Sequence, residues 1–255
     1  MVPVTNSHTG VRGVRIGVLI GLFLLVLGLV ALRVDLRGTA SSRRAAAARP
    51  CACAGYVWRG HTTSVSATIT VPSVVTNKPG LAATWIGVEA PGDPGRFIQI
   101  GVNEDSTHLP GTLVFAPSFY AFWSDTRHDF RPVLIGWVNP GDAVHLSLNF
   151  AKGRWLLGLR DPRQSFTVRL STRQESGPMN QAEWLQEDVE MVKTHALFAY
   201  PNLSQVIFTH LSAQGKPANA AGLLAQEMRG NPDLTLTPVH DDAFALASVR
   251  PSRSS

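Results

Sequence analysis

The densest concentration of potential chemistry in this 255-residue chain is Gln181-Ala182-Glu183-Trp184-Leu185-Gln186-Glu187-Asp188-Val189-Glu190. Four acids fall within eight residues, although Asp, Glu, Lys and Arg together make up only 16% of the chain. Read as a β-strand, the segment alternates between faces. Glu183, Leu185, Glu187 and Val189 then project one way, and Trp184, Gln186, Asp188 and Glu190 the other. Each face carries two acids, and Glu183 and Glu187 lie two pleats, about 13 Å, apart. Carboxyls so displayed can do general acid–base work. The same charges can equally protect an edge strand from unwanted pairing. A second polar intrusion is Gln99, inside the apolar run Phe97-Ile98-Gln99-Ile100-Gly101-Val102. Such a glutamine either hydrogen-bonds within a core or lines a site.

Other chemistries lack their signatures. The chain has no G-x-S-x-G elbow, H-E-x-x-H zinc motif, phosphate-binding loop or dinucleotide fingerprint. It also lacks the Asp-Thr/Ser-Gly pair of aspartic proteases. His128-Asp129 and His240-Asp241-Asp242 contain ligand-type side chains, but pairs of this kind more often sit on solvated turns. No metal or cofactor is expected. The two cysteines stand as Cys51-Ala52-Cys53. That spacing is too short for a comfortable disulfide, so the pair reads as incidental or as a source of intermolecular bridges.

Short β-branched runs punctuated by Gly, Pro, Asn and Asp supply the elements that must carry these residues. Strands are predicted over residues 64–71, 81–88, 96–102, 118–124, 133–138, 143–150, 154–160, 165–170, 182–189, 205–210 and 234–239. Turn signals separate them, among them Asn77-Lys78-Pro79-Gly80 and Asn139-Pro140-Gly141-Asp142. So many short strands predict an all-β protein, a two-sheet sandwich or a barrel. One stretch, Ala218–Met228, has a helical composition.

Ahead of this body, Ile16 to Leu32 are uncharged and nearly all apolar, flanked by Arg12, Arg15 and Arg33. Seventeen residues stand at the short end of a membrane span and beyond the usual apolar region of a secretory signal. The chain is thus expected to divide into a basic segment with a signal or anchor helix (1–33), an Ala/Arg/Ser-rich linker (34–54) and a β-body (55–255). Charge follows the same division. Residues 1–54 hold seven Arg and one Asp, whereas the body carries a net −1 within a chain total of +5. The basicity therefore belongs to the membrane-directed head, and no nucleic-acid partner is expected. More Arg follow the apolar run than precede it, which by charge favours a cytoplasmic body. Long domains translocate largely regardless of flanking charge, however, and export is the reading preferred here.

Four segments, in order, resemble the glutamic peptidases, or eqolisins. Ala54-Gly55-Tyr56 with Val65-Ser66-Ala67-Thr68-Ile69-Thr70-Val71-Pro72 is similar to the family's opening strands. Trp85-Ile86-Gly87-Val88-Glu89 resembles its Trp-Val-Gly-Ile-Asp segment. Phe97-Ile98-Gln99-Ile100-Gly101 resembles the segment bearing its catalytic glutamine. Ala182-Glu183-Trp184-Leu185-Gln186-Glu187-Asp188 resembles the Ala-Glu-Trp-Ile-Val-Glu-Asp segment bearing its catalytic glutamate. Tyr120-Ala121-Phe122-Trp123 is a weaker match to an aromatic strand between them. The resemblance implies a lectin-like, jelly-roll sandwich of two antiparallel sheets, with Gln99 and Glu183 as a catalytic dyad on the concave face of one sheet. It also implies Trp85, Glu89, Trp123, Asp125 and Glu187 around a substrate cleft, with Trp85 and Trp123 as its walls. Glu183 is preferred over Glu187 as the catalytic acid because of the Ala-Glu-Trp context. The sequence departs from the pattern at Cys53, Glu89 and Ser124, where the family has Trp, Asp and an acid.

The function implied is a pepstatin-insensitive acid endopeptidase of the glutamic class acting on polypeptides. It would be exported, and either secreted or held at the membrane through residues 16–32 with its body outside. The alternative is a non-catalytic lectin-like sandwich that binds peptide or glycan at the cell surface. Self-repulsion of a body that turns cationic on protonation places the expected optimum at about pH 3–5, rather than 2.

Overall fold

The structure, a computed structural model, describes residues 52–76, 78–90, 96–106, 117–128, 130–163, 166–172, 178–190, 196–226 and 234–248. The apolar segment 16–32 and nearly all of the linker lie outside these residues, so the expected anchor helix does too. Among the described residues, no helix is long and apolar enough to cross a membrane.

The strands run in chain order as β1 (Cys53–Thr62), β2 (Ser64–Thr70), β3 (Leu81–Glu89), β4 (Phe97–Asp105) and β5 (Ser118–Asp125). Then come β6 (Val133–Trp137), β7 (Ala143–Ala151), β8 (Arg154–Asp161), β9 (Phe166–Thr172) and β10 (Met179–Asp188). Last are β11 (Val206–Ala213), β12 (Lys216–Pro217), β13 (Leu223–Gln226), β14 (Leu234–Leu236) and β15 (Phe244–Ser248). They form two antiparallel sheets. One is seven-stranded in the order β13-β1-β10-β3-β4-β5-β6, and the other eight-stranded, in the order β14-β15-β11-β2-β7-β8-β9 with β12 pairing β11 off this path.

Three readings change. The described part of Ala218–Met228, residues 218–226, is not a continuous helix: a short helical turn, Ala220–Gly222, leads into β13, which pairs with β1 at Gly55–Trp58. A backbone edge open for pairing outweighs the helix propensity of a few Ala, Leu and Gln residues, as tertiary context commonly does. Strand β1 begins at Cys53, inside the expected linker, because Cys53 and Ala54 pair with Glu187 and Gln186. Cys53 is also disulfide-bonded rather than incidental, held fully buried by that pairing.

The main core lies between the sheets. Ile86, Ile100 and Trp184 from the first sheet meet Ile69, Leu146, Leu148, Trp155 and Leu157 from the second. Trp184 is fully buried, and its indole N–H donates to the Ser66 carbonyl on β2 at 3.0 Å. This bond ties the strand that carries the acid cluster to the opposite sheet. Burial of a tryptophan at such a site is worth about 3–5 kcal/mol against alanine.

A polar group sits within this core layer. Glu104, with no solvent exposure, meets the Thr84 hydroxyl at 2.6 Å and the Gln186 amide at 3.4 Å, and Thr84 also meets Gln186 Oε1. Thr84 has one proton to give. If it donates to Gln186 Oε1, its contact with Glu104 is satisfied only by a protonated Glu104 that donates to Thr84. The Gln186 amide then closes the ring onto the other Glu104 oxygen. Burial, only partly opposed by these hydrogen bonds, pushes Glu104 up from 4.5 to about 8.

The folded protein thus keeps on Glu104 a proton that the unfolded chain releases above about pH 4.5. Its favourable contribution is complete below that value and is lost as pH rises toward 8, an effect on the order of 4–5 kcal/mol. Thermal denaturation of the full-length chain between pH 4 and 9 should show stability falling with rising pH. Glu104→Gln, whose amide can occupy the protonated acid's place in the ring, should flatten that fall. An unchanged slope in this variant would remove Glu104 as its source.

Candidate active site

Cross-strand register builds the site. In β10, β3, β4 and β5, Glu183 pairs with Gly87, Gly87 with Gln99, and Gln99 with Ser124. Directly paired residues share a face, so these four form one row on the outer face of the seven-stranded sheet. Neighbouring strands lie about 4.8 Å apart, which separates the backbones of Glu183 and Gln99 by about 10 Å across two strand spacings. Gly87 fills the place between them without a side chain. A Cβ there would lie 2.7 Å from the Trp85 ring and 3.3 Å from Glu183 Oε2. The glycine therefore leaves room for the Trp85 ring and the Glu183 carboxyl to lie over the floor between the two polar side chains.

Both side chains are nearly sealed from solvent, Gln99 at 8% exposure and Glu183 at 4%. Gln99 Nε2 donates to Ser124 Oγ at 2.8 Å, while Gln99 Oε1 has no hydrogen-bond partner. A hydroxyl both donates and accepts, so turning the amide over keeps the Ser124 bond and presents the N–H2 to the site. Ser124 therefore holds Gln99 without dictating which end of the amide meets a ligand.

Glu183 faces a different set. Its Oε1 accepts from Gln181 Nε2, which also lies 3.3 Å from Glu89 Oε2. Desolvation first, and the neighbouring Glu89 charge second, push Glu183 up to about 8 against the opposing Gln181 hydrogen bond. An apolar lining supplies much of that desolvation. Val57, Trp85, Phe122 and Leu185 form a second buried cluster on this outer face, with Phe97 packed against it. Trp85 and Phe97 meet edge to face at 5.6 Å.

Glu187 lies on the same face two pleats from Glu183, as the alternation predicts. Its Oε2 accepts from Trp85 Nε1 at 2.9 Å. The ring thus held reaches toward Gly87, so Glu187 orients a wall of the site. Burial raises Glu187 to about 7, opposed by the Trp85 hydrogen bond. Trp85 and Glu89 also stand on this face, in the rows on either side of Gly87.

Trp123 and Asp125 do not. Ser124 faces outward opposite Gln99, so its two neighbours point to the inner face. Trp123 packs against the core between the sheets, with its ring 5.0 Å from that of His128. Asp125 is fully buried. It accepts from the His128 backbone N–H at 3.0 Å and from Thr172 on β9 at 2.8 Å, and its Oδ1 meets His128 Nδ1 at 2.6 Å. It secures the end of β5 and belongs to no cleft. The sequence reading did not assign roles to Ser124 as a partner of Gln99 or to Gln181 as a partner of Glu183. Strand alternation does put Gln181 on the Glu183 face, whereas Ser124 needed the register.

Asp129 lies outside the described residues. His240 and Asp241 pair at 2.9 Å on the exposed surface. Among the described residues, no cluster of three or more His, Cys, Asp or Glu gathers that could hold a metal ion.

Residues 52–242 match the Peptidase A4 family. The chain belongs to that family. Scytalidoglutamic peptidase, solved with a peptide-based transition-state analogue, superposes with a TM-score of 0.63 at 17% identity over 78% of this chain and 99% of that one. A member of the eqolisin family in complex with the tripeptide Ala-Ile-His gives 0.60, again at 17% identity and the same coverage. Aspergilloglutamic peptidase from Aspergillus niger gives 0.51 at 18% identity, over 67% of this chain and 99% of that one. At these identities the superpositions establish a shared fold. No curated protein matches the chain by sequence.

The contact between Trp85 and Glu187 gives this A4 domain an optical reporter. Ionisation of Glu187 should change Trp85 emission with a midpoint near pH 7. The transition should vanish in both Glu187→Gln and Trp85→Phe. Its survival in both variants would assign it to another group.

Proposed function

We propose that the protein is an acid endopeptidase of the glutamic class, in which Glu183 and Gln99 act together on a water molecule and a peptide carbonyl. The observation that carries this reading is the row Glu183–Gly87–Gln99, which sets a carboxyl and an amide on one face of the sheet with a single glycine between them. Glu183 in its carboxylate form takes a proton from water as the water oxygen bonds to the carbonyl carbon. The carbonyl π electrons move onto oxygen, where the Gln99 N–H2 stabilises them. The C–N bond then breaks, its electrons go to nitrogen, and Glu183 returns its proton to the leaving amine. The apolar surround of Trp85, Phe122 and Leu185 strengthens each of these electrostatic interactions by excluding water. Glu187 contributes by holding Trp85.

The substrate is a polypeptide, pepstatin does not inhibit, and optimum activity lies at about pH 3–5, where repulsion within the protonated body is still limited; Glu183 serves as a base there only once bound substrate and water bring it down from the value of about 8 that burial gives it. The body acts outside the cell, either released or tethered through residues 16–32.

The direct test is cleavage of a denatured protein by the full-length chain between pH 2 and 9 with pepstatin present. Gln99→Ala should lower kcat about 10²–10³-fold. Glu183→Gln should lower it by at least about 10²-fold with the fold retained. A folded protein inactive at every pH would overturn the enzymatic reading in favour of peptide or glycan binding. Loss of activity in Glu187→Gln together with its survival in Glu183→Gln would move the catalytic acid. Accessibility of the body to added protease on intact cells tests its location.

A further inference from the structure

The outer face of the eight-stranded sheet carries a polar cluster that the candidate active site does not use. Thr68 on β2 pairs with Thr209 on β11 and with His145 on β7, and His145 pairs with Arg160 on β8. Directly paired residues share a face. Their chain neighbours Ile69, Leu146 and Leu159 point into the main core, so this row faces outward. Thr68 is nearly sealed, at 6% exposure, whereas His145, Arg160 and His210 are exposed around it. The register of β11 against β2 shifts between Thr209 and Ser212. Within that bulge His210 has a φ of 54°, a left-handed conformation that a residue with a side chain adopts at a cost. Bulges re-aim side chains, and this one turns the His210 ring back onto Thr68. His210 Nδ1 lies 3.4 Å from Thr68 Oγ1 and 3.2 Å from Thr209 Oγ1. From the β7 side, His145 Nδ1 lies 2.6 Å from Thr68 Oγ1.

One hydroxyl thus stands between two imidazoles. Its oxygen has two lone pairs and a single hydrogen. With neutral rings, the hydrogen goes to one Nδ1 and the other ring can donate its own Nδ1–H. In acid both rings carry a hydrogen on each nitrogen, so Thr68 can only accept from them. Its own hydrogen is then left for a third group, beside the positive charges of His145, His210 and Arg160.

We propose that Thr68, His145, His210 and Arg160 form an acid-dependent binding site for an oxyanion of the sulfate or phosphate class. The site is separate from the Glu183–Gln99 row, which lies on the other sheet, and does not depend on its chemistry. The anion takes the Thr68 hydrogen and the N–H groups of Arg160, whose planar fork suits such oxygens. The two imidazolium rings supply further charge. The same charges disfavour a metal cation.

The surroundings favour this ligand. Arg154 and Arg169 share the outer face with Arg160, and the described strands of this sheet place no Asp or Glu there. Asp161, at the end of β8, is buried on the opposite side. The turn packed against the bulge contributes Asp241 and Asp242. The Asp242 carbonyl accepts the Leu211 N–H, and the Asp241 carboxylate pairs with His240. The half-buried Asp242 carboxylate opposes an anion, and the cations outnumber it. Burial first, then the charges of Arg160 and His210, hold His145 below the usual histidine range. A bound anion offsets those charges and so raises it.

The test is calorimetric titration of the full-length chain with sodium sulfate at pH 4.5 and 7.5 at constant ionic strength, together with an NMR titration of the His145 ring. Sulfate should bind at least about tenfold more tightly at pH 4.5 and should raise the His145 midpoint by at least about half a pH unit. Arg160→Gln and Thr68→Val should each weaken binding at least about tenfold. His210→Gly should weaken it similarly while leaving thermal stability unchanged or raised, because glycine accepts the left-handed conformation freely. A purely structural His210 would not give that combination. His240→Gln should leave binding unchanged. Inorganic phosphate and glycerol phosphate, used in place of sulfate, separate a free ion from the same group held as an ester. No binding of any of the three at pH 4.5, equal affinity at the two pH values, or wild-type affinity in both Arg160→Gln and Thr68→Val would overturn the site.

Discussion

The site depends on one choice of face, and Trp184 makes it. Side chains alternate along β10, so a tryptophan buried in the main core forces Glu183 and Leu185 outward. The indole N–H bond to the Ser66 carbonyl adds a directional constraint to the apolar one. A slip of one residue would expose the indole, strand the Ser66 carbonyl and drive Glu183 between the sheets. The register with β3 and β4 follows from the same anchoring. Glu183 then lies opposite Gly87, and Gly87 opposite Gln99, so a carboxyl and an amide distant in sequence share one row.

Two groups of desolvated acids occupy opposite faces of the same sheet, and they differ in what surrounds them. Glu104 lies in a closed ring with Thr84 and Gln186, where every polar atom can find a partner once the acid is protonated. It has no route to a ligand, and its charge state bears on stability. Glu183 lies in the row with Gln99. Its Oε1 accepts from Gln181, and its Oε2 lies, like the Trp85 ring, over Gly87. Burial raises both acids to about 8, so the raised value does not identify the catalytic group. Its place in the row with Gln99 distinguishes Glu183.

Much of the architecture was legible before the structure. The runs of β-branched residues bounded by Pro, Gly and Asn gave the positions of β2 to β8, because those segments pair with neighbours that the local pattern already suits. The strands at the margins were less legible. β13 has helix-forming residues and becomes a strand because the open edge of β1 is adjacent. β15 has only five residues, and β1 reaches into an Ala- and Cys-containing stretch whose composition resembled a linker. The assignment of Trp123 and Asp125 to the cleft failed for a related reason. In Tyr120-Ala121-Phe122-Trp123, large apolar residues fall on both faces of β5, so alternation alone does not say which face is inward. The pairing of Gln99 with Ser124 decides it.

The sequence by itself determined which groups are available and how they alternate. A carboxyl, a tryptophan and a second carboxyl with the spacing of Glu183, Trp184 and Glu187 must alternate on any strand, and the Gln99 amide must interrupt an apolar one. These are local consequences of backbone geometry and residue type. Only the tertiary structure decided which of these groups meet. Gln99 is held by Ser124, Glu183 lies against Gln181 and Glu89, and Glu187 binds an indole rather than standing as a free acid. Those groups and their partners lie on β3, β4, β5 and β10, whose mutual register is set by burial of both faces of the sheet and lies beyond any local pattern.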